Sequence, residues 1–353
     1  MLTIPRSRLI HGTVGLVLAC TAAVWLVTPG SAQAPNAAAL SWVQPRTPDG
    51  HPDLQGNWTN GTLTPLQRRR GQAPVLTWEE VATQEGRARA RALAGAEPSD
   101  PDRPAPRAGG AVGSYNLVYI NSGDRVAIVD GEPRSSLLTT PADGRVPALT
   151  ASGGRRLVEY QAFTSRFSDT DNPENRPLRE RCIFSRSSAG PPMIPNSVYN
   201  NNYTIVQTRD HVMILSEMVH DARIIRMGDG PRLPEHMRPW MGDSWGHWEG
   251  DVLVIETTNL HPLQTFLVNM PPSVDLRVIE RLSRVDEETI LYQFEIDDPT
   301  TYTEVWGGQI PMKALDGVLY AYACHEANYA LSNILSGARY QERMEQEAGG
   351  ARD

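Results

Sequence analysis

Along most of the chain, short apolar runs alternate with two or three turn-forming residues, the pattern of successive β-hairpins. Tyr203–Gln207 and His211–Leu215 flank Arg209-Asp210. Trp245–Trp248 and Val252–Thr257 flank Glu249-Gly250-Asp251, and Val278–Val285 and Ile290–Ile296 flank Asp286-Glu287-Glu288. The last pair of runs is Ile310–Ala314 and Val318–Tyr322, about Asp316-Gly317. Sequential hairpins make a meander, and a long meander hides its edges by closing on itself or by stacking two sheets. The expectation is a mainly β protein, an antiparallel meander closing into a barrel or sandwich, with a few peripheral helices.

Two segments depart from this period. Thr77-Trp78-Glu79-Glu80 is a capping box opening an Ala/Arg/Glu-rich helix that runs to about Ala94, before Gly95. From about Asn328 to Glu347, Tyr329, Leu331, Ile334 and Leu335 recur at helical spacing. Gly-x-Trp occurs at Gly56-Asn57-Trp58 and again at Gly246-His247-Trp248. In lipocalin-type barrels such a triplet lies on the first strand, with the indole closing one end. The barrel is therefore read as lipocalin-like, and the second copy hints at a second barrel-like unit.

The N-terminus carries Arg6 and Arg8, an apolar run from about Gly12 to Val27, and Ser31-Ala32-Gln33-Ala34, the order of a signal peptide. An uncleaved anchor and lipid attachment at Cys20 are the two variants of this reading. The chain divides into 1–34 as signal, 35–111 as an N-terminal extension with one helix and a Pro/Gly-rich linker, 112–327 as the β-barrel-like domain, and 328–353 as a C-terminal helix and tail. A periplasmic or secreted protein with no membrane association after signal cleavage follows. The two cysteines beyond the signal, Cys182 and Cys324, then form an even pair in an oxidising compartment. Paired, they close a loop worth about 4 kcal/mol; two separate buried thiols are the alternative.

Net charge is −8, with basic residues scattered among acidic ones, which argues against nucleic acid. Eight tryptophans and eleven tyrosines against five phenylalanines favour aromatic groups with a polar handle, as in wet pockets and carbohydrate sites.

Several motifs together resemble a widespread family of secreted bacterial proteins known chiefly as uncharacterised. They are Pro45-Arg46-Thr47 with Asp49-Gly50-His51-Pro52-Asp53-Leu54-Gln55-Gly56, Asn200-Asn201-Asn202-Tyr203, Glu217-Met218-Val219-His220-Asp221-Ala222-Arg223, Trp248-Glu249-Gly250-Asp251 running into Val254–Asn259, and Tyr322-Ala323-Cys324-His325-Glu326. The resemblance covers nearly the whole mature chain. It carries no catalytic assignment.

These motifs are rich in groups that move protons and bind polyoxygenated ligands. On a strand, Glu217, Val219, Asp221 and Arg223 share one face while Met218, His220 and Ala222 share the other, which places His220 among apolar neighbours as a neutral base. His325, beside Cys324, is the alternative base. His247 lies between Trp245 and Trp248, a setting for ring stacking. Either histidine can also be an ordinary core or surface residue. The sequence lacks H-E-x-x-H, C-x-x-C, G-x-G-x-x-G and a Walker pattern, and Gly242-Asp243-Ser244-Trp245-Gly246, which has the G-x-S-x-G spacing, runs into the Trp245–Trp248 strand and so does not provide the strand-to-helix elbow of a serine hydrolase. No cofactor is therefore expected, and a divalent metal would have to gather His220, His247 and His325 from distant strands.

By elimination the expected function is a cofactor-independent enzyme of lyase, hydratase or isomerase type, acting on a small polyoxygenated or aromatic molecule in a barrel cavity. His220 or His325 would be the base, with Glu217 in the same motif and Arg223 steadying an oxyanion. Asn202, Tyr203, Trp245, His247, Trp248 and Glu326 would contact substrate. The rival readings are a lipocalin-like binding protein without turnover and a glycoside hydrolase using paired carboxylates, with Glu217, Asp221, Glu256 and Glu326 as the acids in polar motifs.

Overall fold

A computed structural model describes residues 42–98, 102, 120–184, 190–195, 199–264 and 270–350. The expected signal segment with Cys20, and most of the expected Pro/Gly-rich linker, lie outside these residues. Strand β1 (Gly56–Thr59) and helix α1 (Trp78–Ala96) come first, then a small ribbon of β2 (Ile128–Val129) and β3 (Glu132–Pro133), the short strand β4 (Leu138–Thr140) and helix α2 (Ala151–Thr164). Eight strands follow: β5 (Asn202–Gln207), β6 (His211–Ser216), β7 (Ala222–Met227), β8 (Asp243–Glu249), β9 (Val252–Thr258), β10 (Arg277–Asp286), β11 (Thr289–Asp297) and β12 (Trp306–Ala314). Helix α3 (Tyr329–Gly350) closes the described chain.

The sheet runs β1-β5-β6-β7-β8-β9-β10-β11-β12, and β1 pairs with β12, so nine strands close a barrel. Strand β4 attaches beside β12. All barrel pairings are antiparallel except β7 with β8, which run parallel through Arg226↔Trp245 and Met227↔Gly246. The chain between them must therefore cross over rather than turn back. Three of the expected hairpins form, β5/β6, β8/β9 and β10/β11.

Side-chain alternation decides what fills the barrel. On β10, Val278, Glu280 and Leu282 are fully buried while Ile279 and Arg281 are not, and on β11 the same holds for Ile290, Tyr292, Phe294 and Ile296. A barrel near this strand number has an interior that side chains can occupy completely, and here large apolar side chains from every wall meet in one core cluster. Two closures finish the ends. At one, the Trp58 indole donates to the Leu54 carbonyl (3.0 Å), and the Arg284 guanidinium lies 5.4 Å from its ring centre while donating to the Asp53 carbonyl. At the other, Gly190–Ile194 is buried as a plug, with Met193 and Ile194 in the barrel core.

Inside, Arg223 and Glu280 form a two-pronged ion pair (2.5 and 2.9 Å) at 4% and 0% side-chain exposure. The Tyr292 hydroxyl donates to Glu280 (2.8 Å) and accepts from the Met193 N–H (2.9 Å), so the pair also holds the plug. Asn60 donates to the Met193 carbonyl and to the Tyr203 hydroxyl. Burial pushes the phenols of Tyr203 and Tyr292 well up, so both stay protonated.

The capping box at α1 forms as expected, Thr77 accepting from the Glu80 N–H and Glu80 from the Thr77 N–H. Three expectations fail, and one helix is unforeseen. Val318–Tyr322 is not a strand: both edges of β12 are already taken, by β11 on one side and by β1 and β4 on the other, so no ladder remains for a hairpin. The chain instead runs as a strap past β1, with the Leu315 N–H on the Asn57 carbonyl and the Asn57 carboxamide on the Gly317 carbonyl. Helix α2 is unforeseen, because Gly153-Gly154 reads as a break. The second Gly-x-Trp builds no second barrel; Gly246 is a position where a Cβ would come within 2.9 Å of Ile225 and Met227, so glycine answers local crowding. Finally, Glu217–Arg223 is not one strand. A single 3-10 turn, Met218–His220, separates β6 from β7, with Val219 and His220 at φ 64° and 60°, and the assumed alternation of faces is lost.

Candidate functional site

The plug end of the barrel opens to a cleft of about 380 Å³, walled by residues from four places in the chain: Asn121; Tyr199, Asn200 and Asn202; Glu217; and the strap Tyr320 to Cys324. Its charged wall residue is Glu217, 3% exposed and sitting where β6 ends. The Asn202 carboxamide donates to its Oε2 (2.7 Å) and the Tyr320 N–H to its Oε1 (3.2 Å). A carboxylate accepts only, so Asn202 must present its NH₂ to Glu217 and its oxygen to the next group, the Asn121 carboxamide (2.5 Å). Asn201 in turn holds the Asn121 carbonyl.

Backbone geometry builds this array. Asn200 adopts φ 58°, a left-handed conformation that asparagine tolerates, as the chain turns into β5. The Glu217 N–H bonds to the Asn202 carbonyl, so the two functional side chains start from paired backbone. Beneath the cleft, Phe184 and Met218 pack with Tyr199, Trp240 and Tyr322. The disulfide Cys182–Cys324 joins the end of the strap to this layer, as expected for an oxidised pair.

The sequence candidates scatter. Glu217 and Asn202 line the cleft, and Cys324 is in its wall. His325 and Glu326 follow in an exposed turn. His220 is exposed, not placed among apolar neighbours, because the left-handed turn swings it out of the strand pattern. Arg223 and Tyr203 are sealed inside the barrel, the first committed to Glu280, so neither faces the cleft. Trp245 points outward under the guanidinium of Arg226 (4.3 Å from the ring centre) with Arg232 nearby. His247 is exposed beside Glu249 (3.1 Å), and Trp248 packs on the core, stacked with His51. Glu256 is outward and paired with Arg232 and Arg277. Among the described residues no histidine lines the cleft, and no three His, Cys, Asp or Glu side chains gather as a metal site.

Sequence reasoning missed Asn121, Tyr199 and Tyr320. Tyr320 was assigned to a strand, and Asn121 follows the linker with no pattern around it. Outside the cleft, His261 stacks on Trp240 at 3.8 Å, and its pKa is lowered by burial and by Arg238. Its Nδ1 accepts the Leu263 N–H, which places the ring proton on Nε2. No helix among the described residues is long and apolar enough to cross a membrane. The chain matches no family model, no curated protein and no solved structure.

Proposed function

We propose that this protein is an exported, proton-transferring enzyme of lyase, hydratase or isomerase type, with Glu217 rather than a histidine as its base. The observation that carries this reading is the Glu217 carboxylate, buried, held on both oxygens and bordering a cleft of substrate size. A base must reach its proton within a hydrogen-bond length, and fixed partners on each oxygen hold the geometry that this requires. The surrounding carboxamides and tyrosines suit the hydroxyls and ring faces of a small polyoxygenated molecule. That molecule is uncharged in this reading, since an anion beside Glu217 would be repelled. Paired-carboxylate hydrolysis is less well supported, because Glu217 is the single carboxylate lining the cleft among the described residues. The packed barrel core weighs against a carrier that holds its ligand in the lumen.

The test is to incubate the protein in D₂O with neutral glycosides, sugar lactones and plant phenolics, following proton exchange and product by NMR. Saturation transfer reports binding in the same samples. Glu217→Gln is expected to lower turnover by roughly a hundredfold or more, the usual scale for a general base, while binding persists. Undiminished turnover in that variant would move the base elsewhere. Binding without exchange in the native protein would make it a carrier that uses the outer cleft.

A further inference from the structure

A second recess, of about 370 Å³, lies between the loops after β1 and after β4 and shares no residue with the Glu217 cleft. Its walls include Arg68, Arg69, Arg70 and Arg145 against one acid, Asp143. The loops are fixed to each other. The Arg68 N–H bonds to the Gly144 carbonyl (2.9 Å), Arg68 Nη1 to the Ala142 carbonyl (2.8 Å) and Arg145 Nη1 to the Arg68 carbonyl (2.7 Å). Asp143 accepts the Arg145 backbone N–H, a local turn bond, and among the described residues it makes no ion pair with the Arg145 guanidinium. Arg68 is more than nine-tenths buried, and its Nε has no partner. Gly144 makes room for it, since a Cβ there would stand 3.0 Å from the Arg68 guanidinium carbon.

A chain of net charge −8 has carboxylates to spare, and elsewhere Arg176, Arg223, Arg226, Arg277 and Arg281 each take at least one. Among the described residues none of the four recess arginines makes an ion pair. A solvated charge run would explain the exposed Arg69 and Arg70. It does not explain Arg68, whose buried guanidinium is fixed at the wall of the recess by the Ala142 carbonyl and has no carboxylate partner among the described residues. Planar guanidinium forks match tetrahedral oxyanions, two bonds at a time. The recess also exceeds what a bare anion needs.

We propose that this recess binds an oxyanion, phosphate or sulfate, carried on a small molecule such as a sugar ester. The site stands apart from the reading of the Glu217 cleft and survives its failure. Binding of inorganic phosphate, inorganic sulfate and glucose 6-phosphate is measured by calorimetry, with sodium chloride at matched ionic strength and glucose as references. Native protein and Arg69→Gln/Arg70→Gln are compared; both arginines are exposed, so folding is unaffected, and an unchanged melting temperature checks this. Saturable binding of the esters and anions, weakened roughly tenfold or more in the variant, is expected from the loss of charge-assisted hydrogen bonds. A response matched by chloride, or equal in the variant, overturns the proposal. Phosphatidylglycerol vesicles are titrated alongside, and binding confined to them also overturns the proposal, making the arginines a membrane-contacting face.

Discussion

Removing Glu280 tests whether the barrel's interior is organised by its ion pair. In Glu280→Ala the Arg223 guanidinium, 4% exposed, keeps its charge and loses both acceptors, and the Tyr292 hydroxyl loses its own. Breaking a buried pair from one side costs about 3–5 kcal/mol, and an orphaned hydroxyl adds roughly 1 kcal/mol or more. That sum is a large part of the ~5–15 kcal/mol by which a domain is stable. Replacing both partners, as in Arg223→Met/Glu280→Leu, removes the charge with its counter-charge, so the double variant is expected within about 2 kcal/mol of the native protein. Urea denaturation followed by tryptophan fluorescence gives all the values at fixed pH. If Glu280→Ala costs under about 1 kcal/mol, or if the double variant is the least stable of the set, the pair is not what orders the interior.

Three further outcomes follow from geometry already described. Gly153→Ala is expected to lower the melting temperature, because its Cβ would stand 2.5 Å from the Thr301 carbonyl, whereas Gly154→Ala, with nothing near, is expected to gain up to about 1 kcal/mol from helix propensity; equal effects in thermal scans would refute the packing of α2. Loss of the disulfide in Cys182→Ser/Cys324→Ser is expected to cost about 4–5 kcal/mol by loop closure over a separation of 142 residues, and a cost near zero by urea titration would show that the strap holds without it. Asp221 has its pKa raised by burial, against the influence of His220, from 3.8 to about 6. The folded chain therefore holds this proton more tightly than the unfolded one, and the associated stability, complete below 3.8, is lost as pH rises to about 6. Solvent screening keeps the amount under about 1 kcal/mol. Asp221→Asn should gain on the native protein across that window, and a melting-temperature difference independent of pH would count against the assignment.

The hairpins were legible because alternation and turn residues are local signals. Val278 to Val285 and Ile290 to Ile296 announce both their pairing and their inward faces. Closure was not local: β1 meets β12 across most of the chain, and nothing near Gly56 or Ala314 encodes the meeting. That closure also removed the edge on which Val318–Tyr322 had been placed, so one long-range pairing decided the fate of an apolar run. At the site, Glu217 and Asn202 stood out as polar residues in long motifs. The assignment of His220 rested on an unbroken strand, and two consecutive left-handed residues, one of them β-branched, are a conformation that no propensity rule would offer for Val219-His220. Arg223 was misjudged for a related reason. Its partner Glu280 lies on another strand, inside an otherwise apolar pattern, where a buried charge looks from sequence like an outward one.

The strap is also a mechanical part. It is moored to β1 at Asn57, to Glu217 at Tyr320 and, by a covalent bond, to Cys182 at Cys324. Between the first mooring and the last, Val318 and Tyr320 are 73% and 59% exposed, an accessible stretch for a protease. A cut there would leave two chains that migrate together without reductant and part with it. The nicked protein would keep its cleft wall through the disulfide and lose it when reduced, so activity before and after thiol treatment of nicked material would separate the wall's contribution from the barrel's.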